Sequence, residues 1–388
     1  MAISSKNKIT VGVFDDGICM YTMPSGDKSG ISRQFFEMKK NKTLKEILTT
    51  FVNENRQYVQ NAEIVLVLSN KLVSTDTIEL PLVRGLKPQS MLSATEKGLF
   101  KNQKELKINR TQLSSSKQSA TYTLTILRSD LYANFQKVFS SVKLPISAVT
   151  FAASASVNSV LAINSKLKSA NFLLLDIKEG SSVFVFVNKG RAVGFYTLPF
   201  GSETLSPLKL SQENALFNHS TAEIAVINAQ ERAKAKKLTM ESTPVDNAED
   251  NAEDKGTNNE FETAGVGINV TQINTLSRAA KKTPKYIQRP APETEGDYIF
   301  ENFRIFEKWA LNLIRSNTSI VSAGEPEAVY VNLSGDFPGL FERVNEESQE
   351  NGITFTRLDT NGESKIVTDN LELYGGFFTS QYNKNNNF

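Results

Sequence analysis

The stretch that decides the fold is NFLLLDIKEGSSVFVFVNKGRAVGFYTLPFG, residues 171–201. It holds three apolar runs separated by two short glycine turns, the runs at 171–176, 182–187 and 192–198 and the turns at 178–180 and 188–190. Continuous apolar runs of this length, bounded by glycine turns, are typical of buried strands joined as hairpins. The stretch therefore predicts three successive strands, the first of which ends in Asp176.

The chain opens with the same pattern. The apolar run ITVGVF at 9–14 ends in Asp15-Asp16-Gly17, and a second run follows directly at 18–23. An Asp-Gly pair between two such runs predicts a β-hairpin. A helix with capping-box spacing and a buried strand, IVLVL at 64–68, come next. Because a strand ending in Asp before a glycine turn occurs in both halves, we predict a duplicated α/β fold with two lobes around a central cleft.

An inserted subdomain is expected in the first lobe. Residues 81–149 have their own α/β pattern, with a helix after Pro88, a strand around 122–127 and a helix with one apolar face. The predicted first lobe is 1–165, with this subdomain inside it. The second lobe is predicted to be 166–388.

The second lobe is expected to carry a disordered insertion at about 237–296. Residues 241–260 contain seven acids and one lysine and almost no apolar residues. Such a segment buries too little surface to offset the entropy of ordering. Two interpretations stay open, a solvated insertion and a tether for another protein.

Bulk composition excludes several classes of function. Lys and Arg total 44 against 42 Asp and Glu. The resulting net charge of +2 does not indicate a basic surface for binding nucleic acid. One cysteine, Cys19, and one histidine, His219, make neither an internal disulfide nor the usual Cys/His zinc site. No apolar run approaches the roughly 20 residues that span a bilayer. We therefore expect a cytoplasmic protein that reaches a membrane only through a partner.

Four segments in order resemble the PilM pilus-assembly proteins and, more distantly, FtsA. They look like the opening phosphate loop, the small inserted lobe, the second phosphate loop with its strand pair, and the adenosine-side turn and helix of that family. The matching residues are Asp15 and Gly17, then 78–81 with 144–149, then 173–182 with 189–193 and 198–201, then 331–335 with 338–340. The set covers nearly the whole chain outside the segment 231–295.

This resemblance implies an actin-like fold with ATP and Mg²⁺ in the cleft. The implied cofactor-binding residues are Asp15, Gly17, Asp176, Lys178, Gly180, Ser181, Ser182 and Gly335, and Asp15 and Asp176 would bind the metal if Mg-ATP is present. The alternative is that these are turn residues, because Asp, Gly and Ser are common in turns for local reasons.

The sequence departs from the family at both sides of that cleft. Active members run Asp-Ile-Gly at the second loop, whereas here Lys178 and Glu179 precede Gly180, and Asp336 follows Gly335. Side chains at these positions hinder the close backbone approach that phosphate binding needs, and the two acids repel phosphate. Lys178, by contrast, is able to pair with phosphate. No residue stands out as catalytic, and we predict little or no ATP turnover.

Two functions follow from the resemblance. The first is a scaffold or adaptor of a type IV pilus or type II secretion-like platform, located at the inner-membrane face. It would bind the cytoplasmic tail of a PilN-like single-span membrane protein, in the groove between the first lobe and its insert, and would contact other platform proteins or itself. The second is a nucleotide-dependent, FtsA-like ATPase or filament former. The absence of the family's glycines from the two phosphate-binding turns favours the scaffold or adaptor.

Overall fold

The computed structural model describes residues 7–14, 17–24, 31–37, 43–59, 62–82, 88–100, 105–205, 295–333, 337–348, 353–358 and 365–382. Asp15, His219 and Gly335 lie outside these residues, as does the predicted 237–296 insertion apart from its last two positions. The chain divides into two compact units, Met1–Glu203 with Phe306–Phe388, and Thr204–Ile305. All the strands within the described residues belong to the first unit.

The first five-stranded sheet has the order β3-β2-β1-β4-β8. Its strands are β1 (Lys8–Val13), β2 (Gly17–Met23), β3 (Ser32–Glu37), β4 (Glu63–Leu68) and β8 (Ile146–Phe151). The first three strands are antiparallel neighbours, whereas β4 is parallel to both β1 and β8. Two helices, α1 (Leu44–Glu54) and α2 (Arg56–Val59), connect β3 to β4. The predicted capping box is confirmed, because the Thr43 and Glu46 side chains each accept from the other residue's backbone N–H.

The second five-stranded sheet repeats this topology in the order β11-β10-β9-β12-β13. Its strands are β9 (Phe172–Ile177), β10 (Ser182–Asn188), β11 (Arg191–Leu198), β12 (Ala328–Leu333) and β13 (Thr354–Arg357). The first three are again antiparallel neighbours, and β12 is again parallel to both of its neighbours. The matched order and direction of strands confirm the predicted duplicated α/β fold.

A separate three-stranded antiparallel sheet lies between the first-sheet strands β4 and β8 in sequence. It consists of β5 (Val73–Pro81), β6 (Leu106–Ser115) and β7 (Ser119–Arg128) in the order β5-β7-β6. Helix α3 (Pro88–Leu99) covers one face, where Leu92 joins a cluster with Leu80 and Leu124. The Arg110 guanidinium pairs with the buried Glu96, with 2.5 Å between Nε and Oε1.

The limits of this sheet differ from the predicted span of 81–149, which stays a prediction for the inserted subdomain. The sheet begins at Val73, because β5 pairs along its whole length with β7. It ends at Arg128, after which helix α4 (Ser129–Ser141) places Phe135 and Phe139 in the main core. Strand β8 pairs with β4 and therefore belongs to the first five-stranded sheet. The assignment of 1–165 and 166–388 to two lobes stays a prediction.

One continuous core joins the two halves of the first unit. It contains Ile9 and Leu66 from the first sheet, Phe172 and Val185 from the second, and Val157 from helix α5 (Ala152–Ile163). Helix α5 is rich in Ala and Ser, and all of its positions from 153 to 161 are buried. Contacts to β4 and β8 on one side and to β10 and β11 on the other show that α5 lies between the sheets.

The remaining helices are α6 (Glu295–Ser316), α7 (Thr318–Ala323), α8 (Leu340–Ser348), α9 (Lys365–Asp369), α10 (Leu371–Gly376) and α11 (Thr379–Tyr382). Helix α6 begins in the second unit, where Arg304 Nη1 lies 3.7 Å from Glu301 Oε1. No helix within the described ranges is both long enough and apolar enough to cross a membrane.

Helix α10 packs unusually closely on its neighbours because it carries two adjacent glycines. A Cβ on Gly375 would lie 1.7 Å from the backbone oxygen of Ala155 in α5, and one on Gly376 would lie 2.4 Å from Cγ2 of Thr10 in β1. Any side chain would push the helix away from both elements. The glycine pair therefore fixes α10 against α5 and the first sheet, and so fixes the position of Glu372.

Candidate functional site

Asp176 lies at the end of β9, where the sequence predicted a cleft residue. It is buried, and the parallel register of β9 and β12 places Asn332 beside it. The Asn332 side-chain amide donates to Asp176 Oδ1 at 2.8 Å and to the backbone oxygen of Thr368 at 2.9 Å. Sequence reasoning missed Asn332, although an amide in the apolar run AVYVNL, 328–333, is a visible exception to the pattern.

Lys178 follows β9 directly and pairs with Glu372 on α10. The Lys178 ammonium donates to Glu372 Oε1. The Glu372 side chain is only 3% exposed, whereas the Lys178 side chain is 33% exposed. The ammonium also lies 5.9 Å from the ring centroid of Phe14, which follows β1. Sequence reasoning missed Glu372, an acid within the otherwise apolar LELY segment.

The electrostatics of the cluster are dominated by the burial of Asp176. Burial raises its pKa to about 6, and the negative charge of Glu372 acts in the same direction. The positive charge of Lys178 and the hydrogen bond from Asn332 act against this rise in the pKa. Asp176 is therefore an acid that titrates just below neutral pH inside the protein.

The turn after β9 is held by its own backbone. Lys178 N–H donates to the Ser181 oxygen at 2.9 Å, and the Ser182 hydroxyl donates to the Phe200 oxygen at 2.8 Å. A Cβ on Gly201 would lie 1.9 Å from the Lys178 oxygen, so this turn and the segment after β11 are in close contact. Gly180 is less confined, because the nearest atom to its Cβ position is Glu203 Oε1 at 3.9 Å.

The corresponding turn after β1 is described in part. Phe14 N–H donates to the Gly17 oxygen at 2.9 Å, which closes the predicted hairpin. A Cβ on Gly17 would lie 2.5 Å from the Phe36 oxygen and 2.7 Å from the Phe35 ring, so contact with β3 accounts for this glycine. The structure thus brings Phe14, at the turn of the first hairpin, close to Lys178 of the second.

The described residues of the site do not fit a magnesium triphosphate. The Lys178 ammonium faces a buried carboxylate, and the Ser182 hydroxyl is fully buried and bonded to a backbone oxygen. Asp176 accepts from an amide, and no group of three or more His, Cys, Asp or Glu side chains is placed to hold a metal within the described parts of the chain. Two donors that a phosphate would use here, the Lys178 ammonium and the Ser182 hydroxyl, are bonded to the protein itself.

A surface concavity of about 340 Å³ lies where the chain leaves the three-stranded sheet for the first five-stranded sheet. It is lined by Gln136, Lys137, Ser140, Pro145 and Ile146, from α4 and the start of β8. Gln136 Nε2 also donates to the Tyr132 hydroxyl at 2.9 Å. The concavity therefore combines a polar helix face, one cation and two apolar residues.

Comparisons with known proteins place the chain by its fold. No family model matches it, and no curated protein matches its sequence. A chain of the PilM-PilN type IV pilus biogenesis complex is similar in structure, with 11% identity, a TM-score of 0.50, and coverage of 97% of this chain and 98% of that one. This near-complete overlap shows that the chain has the actin-like fold.

Two further solved structures resemble the chain more weakly. One is the cytoplasmic domain of EpsL, an inner-membrane component of the type II secretion system of Vibrio cholerae, with 12% identity, a TM-score of 0.35, and coverage of 52% of this chain and 74% of that one. The other is ROK hexokinase from Thermus thermophilus, with 11% identity, a TM-score of 0.37, and coverage of 96% and 98%.

Proposed function

We propose that this chain is a cytoplasmic actin-like scaffold of an inner-membrane platform that assembles a type IV pilus or a related secretion system. In this role it binds the cytoplasmic tail of a PilN-like single-span membrane protein, which holds it at the membrane face beside other platform proteins. The observation that carries the proposal is the full-length similarity to a chain of the PilM-PilN complex, at a TM-score of 0.50.

The chemistry of the cleft supports a scaffold over an ATPase. Phosphoryl transfer requires the phosphate to be held in line with a positioned water. Here Lys178 pairs with Glu372, and the Ser182 hydroxyl is bonded to the Phe200 oxygen. The predicted cofactor-binding residues Gly17, Asp176, Gly180 and Ser181 then act as turn and strand-end residues, which shape the cleft and do not bind Mg-ATP.

The concavity beside α4 is our candidate for the tail-binding site. It is formed by α4 and the start of β8, which follow the three-stranded sheet in the chain. The sequence predicts the partner groove between the first lobe and its insert. Pro145 and Ile146 offer apolar contact, and Lys137 offers a positive charge. An extended tail with a small apolar side chain next to an acid would match this lining.

A large side chain introduced into the concavity should block binding of the tail. We expect Ser140→Trp to weaken binding of a fluorescent PilN-like tail peptide at least tenfold, measured by anisotropy. The matched control is Asn134→Trp, an exposed position of the same helix that is outside the lining, and it should bind as the unchanged protein does. Equal affinities of the two variants for the peptide would show that the tail binds at another site. If the unchanged protein does not bind the tail peptide, the proposed function is contradicted.

Steady-state ATP hydrolysis and sedimentation separate the scaffold from the ATPase or filament former. We expect no turnover above background, no ATP-dependent pelleting, and a tail affinity in Asp176→Ala within about twofold of the unchanged protein. ATP turnover that disappears in Asp176→Ala would establish the enzyme instead.

A further inference from the structure

The C-terminal segment 365–382 is bonded to both halves of the first unit. On the side of the second sheet, Asn332 donates to the Thr368 oxygen at 2.9 Å and Lys178 donates to Glu372. On the side of the first sheet, the Ser159 hydroxyl of α5 donates to the Leu371 oxygen, and Lys8 Nζ of β1 donates to the Phe377 oxygen at 2.9 Å. The segment therefore connects the two sheets across the cleft.

The strongest single bond in this connection involves a buried carboxylate. Glu372 is 3% exposed, and its second oxygen, Oε2, has no hydrogen-bond partner among the described residues. A buried carboxylate without a positive partner is very unfavourable, because the desolvation of the charge is not compensated. The Lys178 ammonium supplies that compensation, and the Phe14 ring lies within the range of a cation–π contact. Glu372 can be buried here because Lys178 reaches it.

We infer that the Lys178–Glu372 pair takes the place of a nucleotide as the link across the cleft, so that the two halves, which share one core, are connected there by the chain's own charges without a ligand. Lys178 belongs to the turn after β9 in the second sheet, and Glu372 belongs to α10, which the glycine pair fixes against α5 and the first sheet. Asp176 and Asn332 complete the cluster on the second-sheet side. The fold and the stability of the first unit then do not depend on Mg-ATP.

A double-mutant cycle on the full chain tests this link. We expect Lys178→Met and Glu372→Gln each to lower the Tm by about 5 °C or more, because each removes the charge that balances the other member of the pair. The Tm of the double variant should fall by clearly less than the sum of the two single decreases, because the second change acts on a group whose balancing charge has already been removed. If a single variant does not fold, recovery of folded protein in the double variant supports the link, and an unfolded double variant contradicts it.

A matched control comes from an exposed pair in the same unit. Arg128 Nη2 lies 2.5 Å from Asp130 Oδ2, but the two side chains are 66% and 59% exposed. Exposed pairs contribute little to stability. Arg128→Met, Asp130→Asn and their combination should therefore shift the Tm by less than about 2 °C.

Thermal melts with millimolar Mg-ATP complete the test. We expect no change in the Tm of the unchanged chain, whereas a ligand at 100 times its Kd raises it by several degrees. Additive shifts in the cycle, or a clear rise in Tm with Mg-ATP, would overturn the inference. Neither result bears on tail binding. If the chain binds the tail peptide and fails this test, the proposed function stands and the inference of an ionic link is contradicted.

Discussion

At the scale of the residue, Asp176 makes the stability of the protein depend on pH. Burial, followed by the repulsion from Glu372, raises its pKa to about 6, against an Asp pKa of about 3.9 in an unfolded chain. The folded state therefore keeps this proton to a higher pH than the unfolded state does. The associated stability is complete below about pH 4 and is lost as the pH rises to about 6.

The variant Asp176→Asn should be free of this loss, and its side-chain oxygen can still accept from Asn332. We expect the free energy of unfolding of the variant, relative to that of the unchanged chain, to rise by about 2 kcal/mol between pH 4.5 and pH 7. Urea unfolding at several pH values measures this difference. The control is Asp130→Asn, because hydrogen bonds from Arg128 lower the pKa of that exposed acid instead. A difference that does not change with pH would show that Asp176 has an ordinary pKa.

At the scale of the element, the position of α10 depends on one glycine more than on its apolar residues. A Cβ on Gly375 would meet the Ala155 oxygen at 1.7 Å, and neither backbone can move without disturbing the core. We expect Gly375→Ala to lower the free energy of unfolding by about 3 kcal/mol, the cost of severe overpacking. Chemical denaturation of the two purified proteins provides the measurement.

The matched control for that change is a helical glycine with open space around it. Gly98 lies in α3, and no atom lies within 4 Å of its Cβ position. Gly98→Ala should raise stability by about 0.5 kcal/mol, because alanine favours the helix more than glycine does. If the Gly375→Ala variant were as stable as the Gly98→Ala variant, this result would contradict the close packing of α10 on α5.

At the scale of the whole molecule, the acidic insertion should be dispensable for folding. Its composition, seven acids and one lysine in residues 241–260, offers little apolar surface to bury. Helix α6 begins at Glu295, so a deletion of residues 240–290 leaves all the described elements intact. We expect the Tm to change by less than about 2 °C, because the entropy of closing a loop depends only weakly on its length. A loss of soluble protein on expression would show that this segment has a structural role.

The sequence predicted the parts of the fold that depend on neighbours along the chain. The strands 172–177 and 182–188, the turn at Gly17 and the capping box of Thr43 and Glu46 all follow from local spacing and turn chemistry. The duplication was also visible, because the same local pattern of strand, Asp and glycine turn recurs in both halves. Each of these features involves residues within one or two turns of chain, where backbone geometry restricts the choices.

Only the tertiary structure decided which distant residues meet. It paired β5, which begins at Val73, with β7, and it placed Glu372 against Lys178, 194 positions away. It also placed Asn332 on Asp176, 156 positions away. The bond to Glu372 leaves Lys178 paired with protein where the sequence allowed a phosphate. Such contacts depend on how whole elements pack, because the same lysine can pair with any nearby anion and only the position of α10 selects Glu372.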